Sequence, residues 1–221
     1  MSAVSLPFAD RAAAGRALAQ ALSRWRNTPD VLVLALPRGG VPVGAEVARA
    51  LHAALDLLIV RKLGAPSNPE LAIGAIASGG VRVLNTEIVA GLGVSDTFIA
   101  QATARERQEL ARRDVAYRGE RPPPTLAGRT LILVDDGIAT GATMRAGIAA
   151  LRTAHPARLI VAVPVAPPDT AAVLRAEADE VHCLVTPEPF GAVGRFYADF
   201  TQVEDADVRR LLAAAWTNDP R

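Results

Sequence analysis

Residues 131–143 read LILVDDGIATGAT: four aliphatic residues, two adjacent aspartates, then small or hydroxylated residues with Ile138 as the one bulky exception. A short unbroken apolar run is the signature of a strand buried on both faces. Glycines and threonines directly after it make a tight turn, and the alanine-containing stretch from Thr143 onward has helical character. The segment therefore predicts a buried strand that ends in two carboxylates and turns at once into a helix.

Other apolar runs of the same kind occupy 31–36, 55–60 and 159–165, with a shorter one at 180–185. Helical patterns lie between or beside them at 10–25 (with Asp10 as cap), 43–52, 143–154 and 169–178, and a closing helix is expected at 205–216. Alternating strands and helices of this type predict an α/β fold with a doubly wound, mainly parallel sheet. At 221 residues, half of them hydrophobic, the chain is sized for a single domain over 1–221.

Two segments interrupt the rhythm. Residues 64–80 carry glycines and prolines at irregular spacing and read as a long flexible loop, the kind that serves as a functional flap. Residues 86–124 form a helical excursion whose main helix, 95–118, is polar and rich in arginine in its second half. Residues 105–121 hold six arginines and four acids. So small an excess favours a solvated face of paired charges over a phosphate or RNA contact patch, and an RNA partner is not expected.

The global properties exclude several classes. No apolar run approaches the ~18 residues that span a bilayer, and the opening MSAVSLPFADR lacks the basic-then-apolar layout of a signal peptide. A soluble cytoplasmic protein with no membrane partner is expected, and the lone Cys183 agrees with a reducing compartment. The formal charge of +1 means that affinity for anions must be local. Only Lys62 among the 24 basic residues is a lysine, which draws attention to its position.

In an open parallel sheet, ligands bind beyond the carboxyl ends of the strands, and three of those ends are informative. Backbone N–H groups in the turn 137–143 and at the following helix start can bind a phosphate, with Thr140 and Thr143 adding hydroxyl donors. Asp135 and Asp136 would repel that phosphate, so they suit sugar hydroxyls, a magnesium ion or a developing positive charge. A phosphorylated sugar satisfies both halves. The second end is Pro37-Arg38-Gly39-Gly40, a tight turn able to offer N–H groups and one cation to an anion. The third is Arg61-Lys62, adjacent cations at the end of a buried run, which are costly unless an anion or a carboxylate meets them.

Competing motifs fail. A Walker loop needs a lysine in G-x-x-x-x-G-K-[ST] that is absent here, and no G-x-G-x-x-G occurs. His182 and Cys183 are neighbours on an expected strand and point to opposite faces, which disfavours a nucleophile–base pair. No His/Cys spacing suggests zinc.

VDDGIATGAT, between an aliphatic strand and a helix, closely resembles the phosphoribosyl pyrophosphate (PRPP) motif of type I phosphoribosyltransferases. PRGG is similar to the pyrophosphate loop of the xanthine and guanine members. FADRAAAG, RKLGAPSNPE and FGAVGRFYADF resemble a bacterial subfamily of the same family.

The resemblance implies that Asp135 and Asp136 hold the ribose hydroxyls and offset charge on C1. It also implies that Gly137, Ile138, Ala139, Thr140, Gly141, Ala142 and Thr143 cradle the 5-phosphate. Arg38, Gly39 and Gly40 would meet pyrophosphate, with a cis peptide ahead of a glycine. Arg61 and Lys62 would neutralise the leaving group, Lys62 counting among the catalytic residues, and Mg2+ is the implied cofactor. In the hood segment 186–200, Phe190 and Val193 would contact the base, and Asp199 would join Asp135 near the metal. Family members that read a purine 6-oxo group use a lysine there, and this chain has none after Lys62.

The implied partners are PRPP or a nucleotide and a nitrogenous base, and a homodimer is the family's usual assembly. Two other readings stay open: phosphorolysis of a nucleoside 5'-monophosphate to ribose 1,5-bisphosphate, and a PRPP- or nucleotide-sensing regulator that binds RNA.

Overall fold

The computed structural model describes residues 6–217. The first five residues of the opening segment and the last four of the chain, which belong to the expected domain 1–221, lie outside the described residues.

The central sheet has five strands, β1 (Val31–Ala35), β2 (Ala54–Leu57), β6 (Thr130–Val134), β7 (Arg158–Val165) and β8 (Glu180–Val185). They pair in the order β2-β1-β6-β7-β8, and every pairing is parallel. The alternation hidden inside the apolar runs now resolves. Val31, Val33, Ala35, Ile132, Val134, Ile160 and Ala162 face one core, while Leu32, Leu34, Leu131, Leu133, Leu159, Val161 and Val163 face the other. Each valine, leucine or isoleucine among them contributes about 1.5–3 kcal/mol by leaving water.

One face is covered by α1 (Arg11–Ala21), α2 (Gly40–Leu51) and α7 (Asp205–Trp216), which supply Leu18, Val47 and Leu212. The other is covered by α5 (Ala142–Arg152) and α6 (Pro168–Glu177) through Met144, Ile148 and Leu174. Asp10 caps α1 as expected, accepting from Ala13 N–H at 2.6 Å. Glu204 and Asp207 form a capping box at α7.

Two expectations change. The apolar run 55–60 is not one strand: β2 stops at Leu57, and Val60 opens β3 (Val60–Ala65) of a second sheet. Residues 64–80, expected as an irregular loop, are largely strand. β3 pairs antiparallel with β4 (Asn68–Ala77), which pairs with β5 (Arg82–Leu84). The glycine that suggested flexibility permits close contact instead, because a Cβ on Gly64 would lie 2.5 Å from Pro69 O. Leu63, Ile73 and Ile76 pack under this sheet against Ile99 and Ala102 of α4 (Asp96–Arg118). A short helix, α3 (Thr86–Gly91), precedes α4.

The arginines of α4 are answered largely from within the molecule. Arg112 and Arg113 pair with Glu109 at 2.7 Å, and Arg105 pairs with Glu106 at 3.9 Å. Arg118 pairs with Asp56 at 3.0 Å, and Arg121 lies over the Trp216 ring at 4.7 Å. This is the pattern of a charge-paired helical face.

Candidate active site

From β1 the chain moves outward to β2 on one side and later returns to β6 on the other. The boundary between β1 and β6 is therefore a topological switch point, the position at which open parallel sheets carry a ligand crevice. Ala35 is the register partner of Val134, so PRGG and DDGIATGAT leave the sheet side by side. Leu36 N–H donates to Val134 O at 2.9 Å, and Gly40 N–H donates back to Leu36 O at 3.1 Å, which folds the first turn tightly against the second.

The contact is closest at the glycines. A Cβ on Gly39 would stand 2.1 Å from Asp136 Oδ2, and one on Gly40 would stand 2.8 Å from Val134 O. Glycine is required at 39 because the Asp136 carboxylate already fills that space. The cis peptide of this turn joins Pro37 to Arg38 and so precedes the arginine, not a glycine. Arg38 itself leans away, its guanidinium 3.6 Å from Glu204 and 3.7 Å from Asp205 at the start of α7. Exposed pairs of this kind are worth about 0–1 kcal/mol, so an incoming anion faces little competition for Arg38.

The aspartates differ in their surroundings. Asp136 N–H donates to Asp135 Oδ1 at 2.9 Å. Desolvation and the neighbouring Asp136 charge raise the Asp135 carboxyl well above the ordinary carboxylate range. Asp136 Oδ2 accepts from Arg11 Nε at 2.7 Å, and its backbone carbonyl accepts from the Tyr197 hydroxyl. Burial and Asp136 push the Tyr197 phenol up as well, so it stays a neutral donor. Neither Arg11 nor Tyr197 is marked for a role by any motif in the sequence. A side-chain bond 125 residues apart in the chain leaves no periodic trace, and FADR announced only a helix cap.

The turn after the aspartates divides into two parts. Ile138 is a correction to the expected phosphate cradle: its side chain is buried in the core, and its N–H is already donated to Val165 O at 2.9 Å. Ala139, Thr140 and Thr143 are exposed. Gly141 precedes α5 with φ 76°, a left-handed conformation that glycine adopts at no steric cost. The first N–H groups of α5, from Ala142 onward, have no intrahelical acceptor, an arrangement suited to an anion and backed by the helix dipole.

Arg61 and Lys62 require another correction. They open β3 in the second sheet instead of ending β2, and Arg61 is already met by Glu106 of α4, at 2.8 Å from Nε and 2.7 Å from the second nitrogen. The burial argument for an anion beside Arg61 is thus answered by a carboxylate of the chain. Lys62 follows on the opposite face of β3.

In the hood, Phe190 packs against Phe196 with ring centroids 5.2 Å apart. Val193 lies directly over the PRPP-like turn, since a Cβ on Gly137 would be 2.5 Å from its Cγ1. Asp199 is exposed. Its Oδ1 accepts from the Thr201 N–H at 2.9 Å and hydroxyl at 2.6 Å, which holds its carboxyl below the usual range. Among the described residues no group of three or more His, Cys, Asp or Glu side chains could hold a metal ion. Asp135 and Asp136 offer hard oxygen donors suited to magnesium, and such an ion would draw its other ligands from substrate oxygens and water.

Cys183, on β8, has its thiol pushed up to about 11 by burial, which suits a packed side chain and not a nucleophile. No helix among the described residues is long and apolar enough to cross a membrane.

Residues 9–201 match the model of the phosphoribosyl transferase domain. The chain belongs to the phosphoribosyl transferase domain family. Two curated relatives from Mycobacterium tuberculosis, strains CDC 1551 / Oshkosh and ATCC 25618 / H37Rv, are both provisionally named phosphoribosyl transferases. Each is 47% identical over 208 residues, covering 94% of this chain and 47% of the relative. The chain thus spans about half the length of these relatives. The crystal structure of TT1426 from Thermus thermophilus superposes with a TM-score of 0.86 at 44% identity, covering 95% of this chain and 99% of that one.

Proposed function

We propose that this protein transfers a 5-phosphoribosyl group between PRPP and a nitrogenous base. The observation that carries the reading is the convergence of a carboxylate pair, a glycine turn and a side-chain-poor helix start at the β1/β6 switch point. In this reading Asp136, with Asp135 beside it, receives the ribose hydroxyls, and the turn from Ala139 into α5 holds the 5-phosphate. Gly39 and Gly40, with Arg38 swung from Glu204, take the pyrophosphate. Departure of pyrophosphate from C1 leaves an oxocarbenium-like centre, so the chain's contribution is charge stabilisation and positioning, without a covalent nucleophile. Asp135 would hold a magnesium ion, whose chemistry when present is to supply positive charge against the leaving pyrophosphate. The β3–β4 hairpin, with Lys62 on β3, is the proposed cover that keeps water from C1, and Phe190 and Val193 are the proposed base contacts. A homodimer, which the family resemblance implies, is part of the proposal.

The test is a calorimetric titration of the protein with PRPP and Mg2+, followed by pyrophosphate release with a panel of purine and pyrimidine bases. Saturable binding and turnover with one class of base are expected. A chain that binds no PRPP overturns the reading, and turnover only of mononucleotides with inorganic phosphate converts it to phosphorolysis. As a further expected outcome, Gly39→Ala lowers turnover by about a hundredfold, the usual result of misplacing a reacting group by an ångström. The added methyl cannot coexist with Asp136 where that carboxylate now stands. Turnover within threefold of wild type would show that the carboxylate need not stand there.

A further inference from the structure

Arg11 occupies the first helical position of α1, and that placement is locally unfavourable. The start of a helix carries a partial positive charge, so a cation in its first turn is disfavoured. No acidic residue within the first turn of α1 offsets this, and the Asp10 carboxylate that precedes it is taken up by the Ala13 N–H. A residue that violates a local rule at the edge of a site is a candidate for function. Asp10 fixes the geometry by capping the helix through Ala13 N–H at 2.6 Å, which sets the direction in which the next side chain leaves.

That side chain is held on three sides by distant segments. Arg11 Nε donates to Asp136 Oδ2 at 2.7 Å, and a terminal nitrogen donates to Thr201 O at 2.7 Å. The guanidinium carbon sits 3.9 Å from the centroid of the Phe200 ring. The ion pair is well shielded, with side-chain exposures of 11% and 13%. Three backbone bonds tie the same hood segment to the start of the chain: Phe8 N–H to Phe196 O at 2.8 Å, Ala198 N–H to Phe8 O at 2.7 Å and Asp199 N–H to Ala9 O at 2.9 Å. On the far side, the Asp136 carboxylate lies against the α-carbon of Gly39. Arg11 on one flank and the PRGG turn on the other leave this carboxylate a single resting orientation.

We infer that Arg11 is a positioning residue for phosphoribosyl transfer: it fixes the Asp136 carboxylate toward the crevice and ties that orientation to the hood through Thr201 and Phe200. The inference rests on the reading proposed above, in which Asp136 faces the ribose. Arg11 touches no reacting atom. Its planar fork is what the site uses, because one edge meets the carboxylate, another meets the carbonyl, and the flat face meets the ring. A lysine could supply the charge but not this combination.

The experiment compares wild type, Arg11→Ala, Arg11→Lys, Asp136→Asn and the Arg11→Ala/Asp136→Asn double variant. PRPP with Mg2+ is the probe, read by calorimetry, and thermal melting is recorded in parallel. Arg11→Ala is expected to weaken PRPP binding about tenfold or more, in line with the cost of loosening a reactive group's supporting contacts. Arg11→Lys recovers only part of the loss, and millimolar guanidinium recovers part of it in Arg11→Ala. The double variant should bind no more weakly than Asp136→Asn alone, because removing the carboxylate removes what Arg11 positions. Additive losses in the double variant, or PRPP affinity of Arg11→Ala within twofold of wild type, would overturn the inference while leaving the site reading intact. Wild type that does not bind PRPP would overturn both. Should Arg11→Ala fail to fold, Arg11→Lys against its own double with Asp136→Asn separates the same two outcomes.

Discussion

Asp136→Asn is expected to lower phosphoribosyl turnover by about two to three orders of magnitude, the range found when one preorganised electrostatic group is removed from a transition state. Asparagine keeps the shape of the side chain, so Gly39 and Arg11 still have a neighbour of the right size. What disappears is the negative charge facing the sugar. The fold should survive, and the reason lies in the pair. Asp135 is raised by burial and by the Asp136 charge. A carboxyl raised in the folded state binds its proton more tightly there than in the unfolded chain. Such a group costs stability above its unfolded pKa, the cost growing until pH reaches the folded value. Neutralising Asp136 relieves part of that cost at neutral pH and offsets part of the ion pair lost with Arg11. The melting midpoint should therefore move by only a few degrees, roughly the effect of 1 kcal/mol or less in a domain this size. Pyrophosphate release with a responsive base, measured beside a thermal melt, checks both halves. Undiminished turnover would remove the charge role from Asp136, and a collapsed melt would make the carboxylate structural.

The sheet interior was readable because burial on both faces leaves unbroken apolar runs, and β1, β6, β7 and β8 fall close to where those runs lie. The aspartate pair was readable because one local segment contains strand end, carboxylates and anion-binding turn together. Residues 64–80 depart from the loop their composition predicts for a physical reason: Gly64, Pro66 and Pro69 look like punctuation, yet Pro69 lies near the start of β4, where only β3 pairs with it and a missing N–H is tolerated. Arg61 calls for an anion or a carboxylate, and which of the two meets it is not legible locally because Glu106 lies 45 residues away on another element. Arg11 escaped for the same reason at greater distance. Local pattern shows which backbone turns form; it does not show which charges the finished fold brings together.

The largest stability effect should come from a residue outside the crevice. Arg118 and Asp56 form an ion pair at 3.0 Å with side-chain exposures of 1% and 0%. The arginine also donates to Leu57 O and lies 3.4 Å from Asp114. Asp56 belongs to β2, and its Oδ1 accepts from Leu57 N–H at 2.7 Å. The pair thus joins the end of β2 to the last turn of α4, the helix whose Glu106 meets Arg61. Arg118→Ala strips a buried carboxylate of its guanidinium and is expected to cost about 3–5 kcal/mol, much of the ~5–15 kcal/mol that holds a typical domain together. The double variant Arg118→Met/Asp56→Leu should regain most of the loss in urea denaturation, since buried charges recover little more than their own desolvation. A loss below about 1 kcal/mol in the single variant would mean that other groups meet the Asp56 charge. If the double variant regained nothing, the pair would stabilise this junction beyond what apolar packing of similar volume supplies. If stability returned while PRPP binding did not, the pair's contribution would be to hold α4, and with it Arg61 and β3, in register with the crevice.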